Sequence, residues 1–233
     1  MAGTDITITS SGGGEIPAYL ALPPDNGTGP GIVFVAAVFG VDDDMRNMTD
    51  NLAAQGFVVS APDFFWRGDS GPLTRSEEDM KRARARAQPR HDLIEQGVQD
   101  LADAVADLKT RPECNGKVAV AGFCFGGPYA LIGPARLGLD AGFAYHGTNV
   151  EDWFDELENV SAPVSLHWGT EDHAAPPEVV EKFQAAAARM DNLEIHTYPG
   201  VVHGYTAQSI PAWDADASAH SWARTVEILN TLR

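Results

Sequence analysis

The chain has 233 residues, 44% of them hydrophobic, and 33 Asp and Glu against 16 Lys and Arg, for a formal net charge of −17. That length suits a single domain over residues 1–233 with a sizeable core, and the composition is that of a globular protein. So acidic a balance excludes nucleic acid and anionic membrane as partners, because both need a basic face.

The termini and the rare residues narrow the class further. Met1 to Asp5 has neither a basic n-region nor an apolar h-region, and no apolar run approaches membrane-spanning length. The seven histidines show no CxxC or HExxH spacing, so no metal is expected. Cys114 and Cys124 flank one strand and are poorly placed to pair, which favours a reducing setting. The expectation is a cytoplasmic monomer acting on a small molecule.

In chain order, Thr4 to Thr9 alternates apolar and polar residues, and after the turn at Ser10 to Gly14 the stretch Ile16 to Leu22 pairs back as a hairpin. A Pro- and Gly-rich loop leads into the continuous apolar run Gly31 to Ala36, which reads as a strand covered on both faces. Asp42 to Gln55 is helical by the spacing of Met45, Met48, Leu52 and Ala53, and Phe57 to Ala61 is the next strand. Phe64 to Gly71 is a loop. Ser76 caps the basic segment Lys81 to Arg86, whose charge run reads most simply as a solvated helix face.

Asp92 to Thr110 is a long amphipathic helix before the strand Val118 to Ala121, and Gly126 to Leu137 is the helix after it. Ala141 to Tyr145, Pro163 to Trp168 and Leu193 to Tyr198 are strands; Pro177 to Met190 and Trp213 to Leu232 are helices. Alternation of this kind predicts an α/β fold, a mostly parallel sheet with helices on both faces and its site at the C-terminal ends of the strands.

Three residues stand at those ends. In Gly122-Phe-Cys-Phe-Gly126 the glycines flank Cys124 at two residues on either side, the G-x-nucleophile-x-G pattern of a strained strand-to-helix bend. Asp172 follows one late strand and His203 the next, giving the order nucleophile, acid, histidine. His203 would take the thiol proton and Asp172 would hold its tautomer. The backbone N–H groups of Phe125 and of Val38, in the loop after the strand ending at Ala36, would meet an oxyanion. Glu171 is the alternative acid, though Asp172 suits the loop better. His146 and His173 read as structural, and His167 as a core histidine.

With those residues in view, the chain resembles the dienelactone hydrolases, or carboxymethylenebutenolidases, single-domain α/β-hydrolases with a cysteine nucleophile. The marks run through nearly the whole length: Val35 to Val41, Met45-Arg46, Gln55 to Phe57, Pro62 to Arg67, Asn115 to Gly127, Tyr145 to Gly147 and Gly169 to His173. The resemblance implies hydrolysis of a small ester or enol-lactone through a thioester, without a cofactor. It also makes Arg82 a candidate grip on a substrate carboxylate, and Phe39, Phe65, Trp66 and Tyr145 an apolar wall.

Two positions depart from the family. Ala37 stands where its glutamate helps activate the cysteine, and Ala207 where a second substrate-binding arginine is found. The first predicts a Cys124 that relies on His203 and the helix dipole, resting as a thiolate–imidazolium pair. The second costs a dianionic substrate about 1.5–3 kcal/mol of binding, so a neutral or monoanionic ester or lactone is at least as well suited. A thioesterase or acyltransferase with the same triad, and a non-catalytic binding protein of this fold, are the competing readings.

Overall fold

Alternation in the first residues does what it predicts. β1 (Thr4–Thr9) and β2 (Glu15–Ala21) pair antiparallel, Thr9 opposite Glu15 and Thr4 opposite Leu20. This and all that follows comes from a computed structural model, which describes residues 2–233. The chain divides into two compact units, one ending at Val118 and one starting at Ala119.

In the first unit β3 (Gly29–Val35) carries the apolar run, and Ile32 to Val35 are fully buried, as a strand without a polar face requires. α1 (Asp43–Ala53) starts where the Asp42 side chain accepts from the Met45 N–H at 3.0 Å, with Asp43 and Asp44 complementing the helix dipole. β4 (Val58–Pro62) lies parallel to β3 and antiparallel to β2, so the order is β1-β2-β4-β3. α2 (Glu77–Arg86) is capped by Ser76, which accepts from Asp79 N–H, as its sequence predicts. α3 (Arg90–Thr110) packs on β3 and β4 with Ile94, Leu101, Ala104 and Leu108 fully buried. At about 1.5–3 kcal/mol for each large buried side chain, that face fixes the helix far more firmly than its propensity would.

In the second unit the end of β5 (Cys114–Phe123), β6 (Ala141–Tyr145), β7 (Val164–Gly169) and β8 (Leu193–Tyr198) pair parallel in sequence order. The last turn before the helix differs from expectation. Cys124–Gly126 is a 3₁₀ turn and α4 (Tyr129–Leu137) starts three residues later, ending at Gly138 in the left-handed conformation. α5 (Pro177–Ala187) packs on β8, and α6 (Ala215–Asn230) packs on β6 after an Asp214 cap. A 3₁₀ stretch at Val150–Asn159, not anticipated from the sequence, links β6 to β7. No helix among the described residues is long and apolar enough to cross a membrane.

Candidate active site

Cys124 leaves β5 at φ +52°, a left-handed conformation that a side-chain-bearing residue holds only under constraint. The constraint is visible in its neighbours. A Cβ on Gly122 would meet the Gly126 carbonyl oxygen at 1.9 Å, and one on Gly127 would meet the Gly147 Cα at 2.5 Å. The Cys124 carbonyl accepts from Gly127 N–H at 3.0 Å and Thr148 N–H at 2.9 Å, which ties the bend to the loop after β6. The result is a half-buried thiol on a backbone that cannot relax. Cys114 and Cys124 are not joined in a disulfide.

Asp172 follows β7 and His203 follows β8. The two loops are joined by the Glu171 N–H, which donates to Val201 O at 3.0 Å. The Asp172 carboxylate is buried, receives the Ala174 N–H at 2.8 Å, and lies 2.9 and 3.1 Å from His203 Nδ1. That bond commits Nδ1 and leaves Nε2 for another partner. The other partner is the Cys124 side chain, which hydrogen-bonds His203. Cys124, His203 and Asp172 therefore form one chain of hydrogen bonds. Burial alone would lower the His203 pKa. The hydrogen bonds to Asp172 and Cys124, and their negative charges, outweigh it and raise the imidazole to about 10.

The neighbouring residues sort themselves by exposure. The Glu171 side chain is exposed, while Asp172 holds the histidine. His146 is buried beside His203, ring centroids 4.7 Å apart and edge-on, with Nε2 3.0 Å from Thr206 Oγ1; burial pushes its pKa well down, so it stands neutral. His173 also lies beside His203, ring centroids 5.0 Å apart, and is 81% exposed. Asp172, His173 and His203 offer ligand atoms within 4.8 Å of one another. A metal held there would have to replace the His203–Asp172 hydrogen bond.

Tyr145 has no surface to offer a substrate. It is fully buried, its hydroxyl bonds Thr225 Oγ1, and its ring stacks between Phe123 at 4.9 Å and His167 at 5.4 Å. His196 continues the stack on His167 at 4.8 Å. These four residues are cross-strand partners from β5 to β8, so the parallel register itself builds the ladder. His167 is a core histidine, its ring nitrogens taken by Ser165 and Tyr198.

In the first unit Arg82 is 45% exposed and paired with two aspartates. Its fork bonds both Asp69 oxygens, at 2.5 and 3.1 Å, and Nη1 bonds Asp79 at 2.8 Å. Phe39 and Trp66 are half-buried with guanidinium groups over their rings, Arg75 at 3.7 Å and Arg67 at 4.2 Å. Ala37 and Val38 lie in the half-buried turn after β3, and Ala207 is half-buried just past His203. Arg86, which the charge run hid, is 92% buried. The signal was its spacing: Ala83 and Arg86, three residues apart, are the two buried positions of α2.

A parallel sheet whose strand ends carry an acidic loop residue, a histidine and a cysteine on a strained bend is the arrangement of the α/β-hydrolase class. Solved structures of that class share the fold. A putative dienelactone hydrolase from Klebsiella pneumoniae aligns with a TM-score of 0.83 over 98% of each chain at 23% identity. A dienelactone hydrolase-like promiscuous phosphotriesterase from metagenomic libraries aligns at 0.78 over 100% of this chain and 99% of its own, also at 23%. Residues 16–233 match the model of the dienelactone hydrolase family, and the chain belongs to it. It is 32% identical to carboxymethylenebutenolidase 1 of Cupriavidus pinatubonensis, over 100% of this chain and 99% of that one. To the carboxymethylenebutenolidase of a Pseudomonas species it is 32% identical, over 98% and 95%. The protein is accordingly a carboxylic ester or lactone hydrolase.

Proposed function

We propose that Cys124 is the nucleophile of a hydrolase that opens small neutral or monoanionic esters and lactones through a thioester. The unbroken hydrogen-bonded chain from Cys124 through His203 to Asp172 carries this reading. The sulfur, already stripped of its proton by His203, attacks the carbonyl carbon, and the C=O electron pair moves onto oxygen. Phe125 N–H, next after the nucleophile in the 3₁₀ turn, stabilises that oxyanion. As the C–O bond breaks, His203 gives its proton to the departing oxygen. Water then adds to the thioester, His203 taking its proton, and the C–S bond breaks to release the acid and restore the ion pair.

The carboxymethylenebutenolidase relatives suggest an enol-lactone, but two observations turn us from a dianionic one. Arg82 spends three of its donors on Asp69 and Asp79, a cluster of net charge −1, and Ala207 offers no guanidinium. Turnover of p-nitrophenyl acetate and of a dicarboxylate enol-lactone by wild type and Cys124→Ala tests both parts. The reading requires that the mutant lose both activities and that kcat/KM favour the neutral ester. Turnover that survives in Cys124→Ala, or a preference for the dianion, contradicts it. Adding an alcohol or thiol acceptor separates hydrolysis from acyl transfer.

A further inference from the structure

The loop after β6 touches both the bend at Cys124 and the loop after β8. Thr148 N–H donates to the Cys124 carbonyl at 2.9 Å and so holds the bend. Two residues earlier, His146 sets its ring edge-on against His203, centroids 4.7 Å apart at 73°, and its Nε2 lies 3.0 Å from Thr206 Oγ1. Thr206 is buried three residues past His203 on the same loop. One short segment therefore ties together the two ends of the Cys124–His203 hydrogen bond.

His146 is held in place at some cost. Its backbone is at φ +42°, the left-handed region that a residue with a side chain occupies only where its surroundings impose it. His146 N–H donates to His167 O at 2.8 Å, and the Gly147 carbonyl accepts from Trp168 Nε1 at 3.0 Å, so β7 pins the segment. The His146 side chain is buried and also meets Tyr205 edge-on, centroids 5.6 Å apart.

We infer that His146 is a positioning residue that keeps Nε2 of His203 aimed at the Cys124 sulfur. This rests on the reading of Cys124 as nucleophile and His203 as its base. The bond from Asp172 fixes His203 at Nδ1 and leaves the ring free to rock about that point. Gly204, at φ +87°, follows at once and adds little stiffness to the backbone. The His146 ring blocks the rocking, and its bond to Thr206 stops the loop from drawing back. Burial keeps His146 neutral, so no second cation stands beside the His203 imidazolium.

The test measures p-nitrophenyl acetate turnover and the pH profile of Cys124 labelling by iodoacetamide. His146→Phe keeps a ring and loses the bond to Thr206. Thr206→Val, close to it in shape, removes the same bond from the other side and serves where His146→Phe does not fold. Each should lower kcat about 10- to 100-fold with KM within about twofold. Each should also give labelling a slope below about pH 8 that wild type lacks, because a His203 turned away no longer holds the thiol ionised. The other titratable groups against His203 are Asp172, Cys124 and His173; all three are intact in these variants, so the slope reports the aim of the ring. His146→Gln, whose amide nitrogen can still reach Thr206, should recover part of kcat. The double variant should be no worse than the poorer single one, because both break one bond.

Unchanged kcat in either folded variant would overturn the inference. So would a lower kcat with labelling as flat in pH as wild type, which places the loss elsewhere. A wild-type profile that itself titrates near about pH 8.5, or turnover surviving in Cys124→Ala, would remove the reading beneath it, and neither outcome depends on these variants.

Discussion

The proposed ion pair between Cys124 and His203 makes a prediction that pH alone can probe. The imidazole is raised from 6.5 to about 10 by its bonds to Asp172 and Cys124 against the opposing pull of burial. At about 1.4 kcal/mol per pH unit, that difference is worth about 5 kcal/mol in favour of the imidazolium, far above thermal energy. His203 therefore keeps its proton across the physiological range, and on the proposed reading Cys124 carries the matching negative charge. An ordinary thiol of pKa about 8.5 is ionised to about one part in a thousand at pH 5.5, so its alkylation slows tenfold for each pH unit below 8. An acidified thiolate is also the weaker nucleophile, by as much as about a hundredfold, so the shape of the profile is diagnostic and the absolute rate is not. The rate of iodoacetamide labelling, read by intact mass between pH 5 and 9, should be flat down to about pH 5. In His203→Asn the slope of an ordinary thiol should return. A wild-type profile that titrates near pH 8.5 would refute the resting ion pair.

The same pair has a signature in stability. A histidine whose folded pKa lies above its unfolded value adds stability that is complete below pH 6.5 and disappears as pH rises through about 10. Thermal melts from pH 8 to 11 should show a steeper loss in wild type than in His203→Asn. Gly122→Ala forces a Cβ to 1.9 Å from the Gly126 carbonyl and should cost at least about 3 kcal/mol in urea titration, or abolish folding. Tyr145→Phe removes the hydroxyl bonded to Thr225; it should cost about 1–2 kcal/mol of stability and leave kcat/KM unchanged, whereas a fall in kcat/KM would return Tyr145 to the substrate wall. Arg82→Ala breaks exposed ion pairs and should change stability by less than about 1 kcal/mol, with turnover of a neutral ester within about twofold.

The strands, and the placing of Cys124, Asp172 and His203 at their ends, were legible because their signals are local. Gly122 and Gly126 bracket Cys124 within five residues, and Asp172 and His203 follow runs that are plainly strands. The features that escaped depend on partners far along the chain. Tyr145 looks available beside His146 until Thr225, 80 residues on, takes its hydroxyl. Arg86 looks solvated among Lys81, Arg82 and Arg84 until Val38, 48 residues earlier, claims its Nε. The start of α4 slipped from Gly126 to Tyr129 because the bend at Cys124 tightens into a 3₁₀ turn, which no periodicity announces. Arg82 was read through a resemblance, and only the geometry of Asp69 and Asp79 reveals that its fork is filled.

The central claim is that the thiol of Cys124 becomes acylated and that His203 then directs water to the thioester. Intact-protein mass spectrometry after brief mixing with p-nitrophenyl acetate tests it most directly, with wild type, His203→Asn and Cys124→Ala side by side. The account predicts one added acetyl group on Cys124, short-lived in wild type and persistent in His203→Asn, where water loses its base. It predicts no adduct in Cys124→Ala. Release of p-nitrophenol by wild type with no adduct on Cys124, or with equal turnover in the alanine variant, would contradict it.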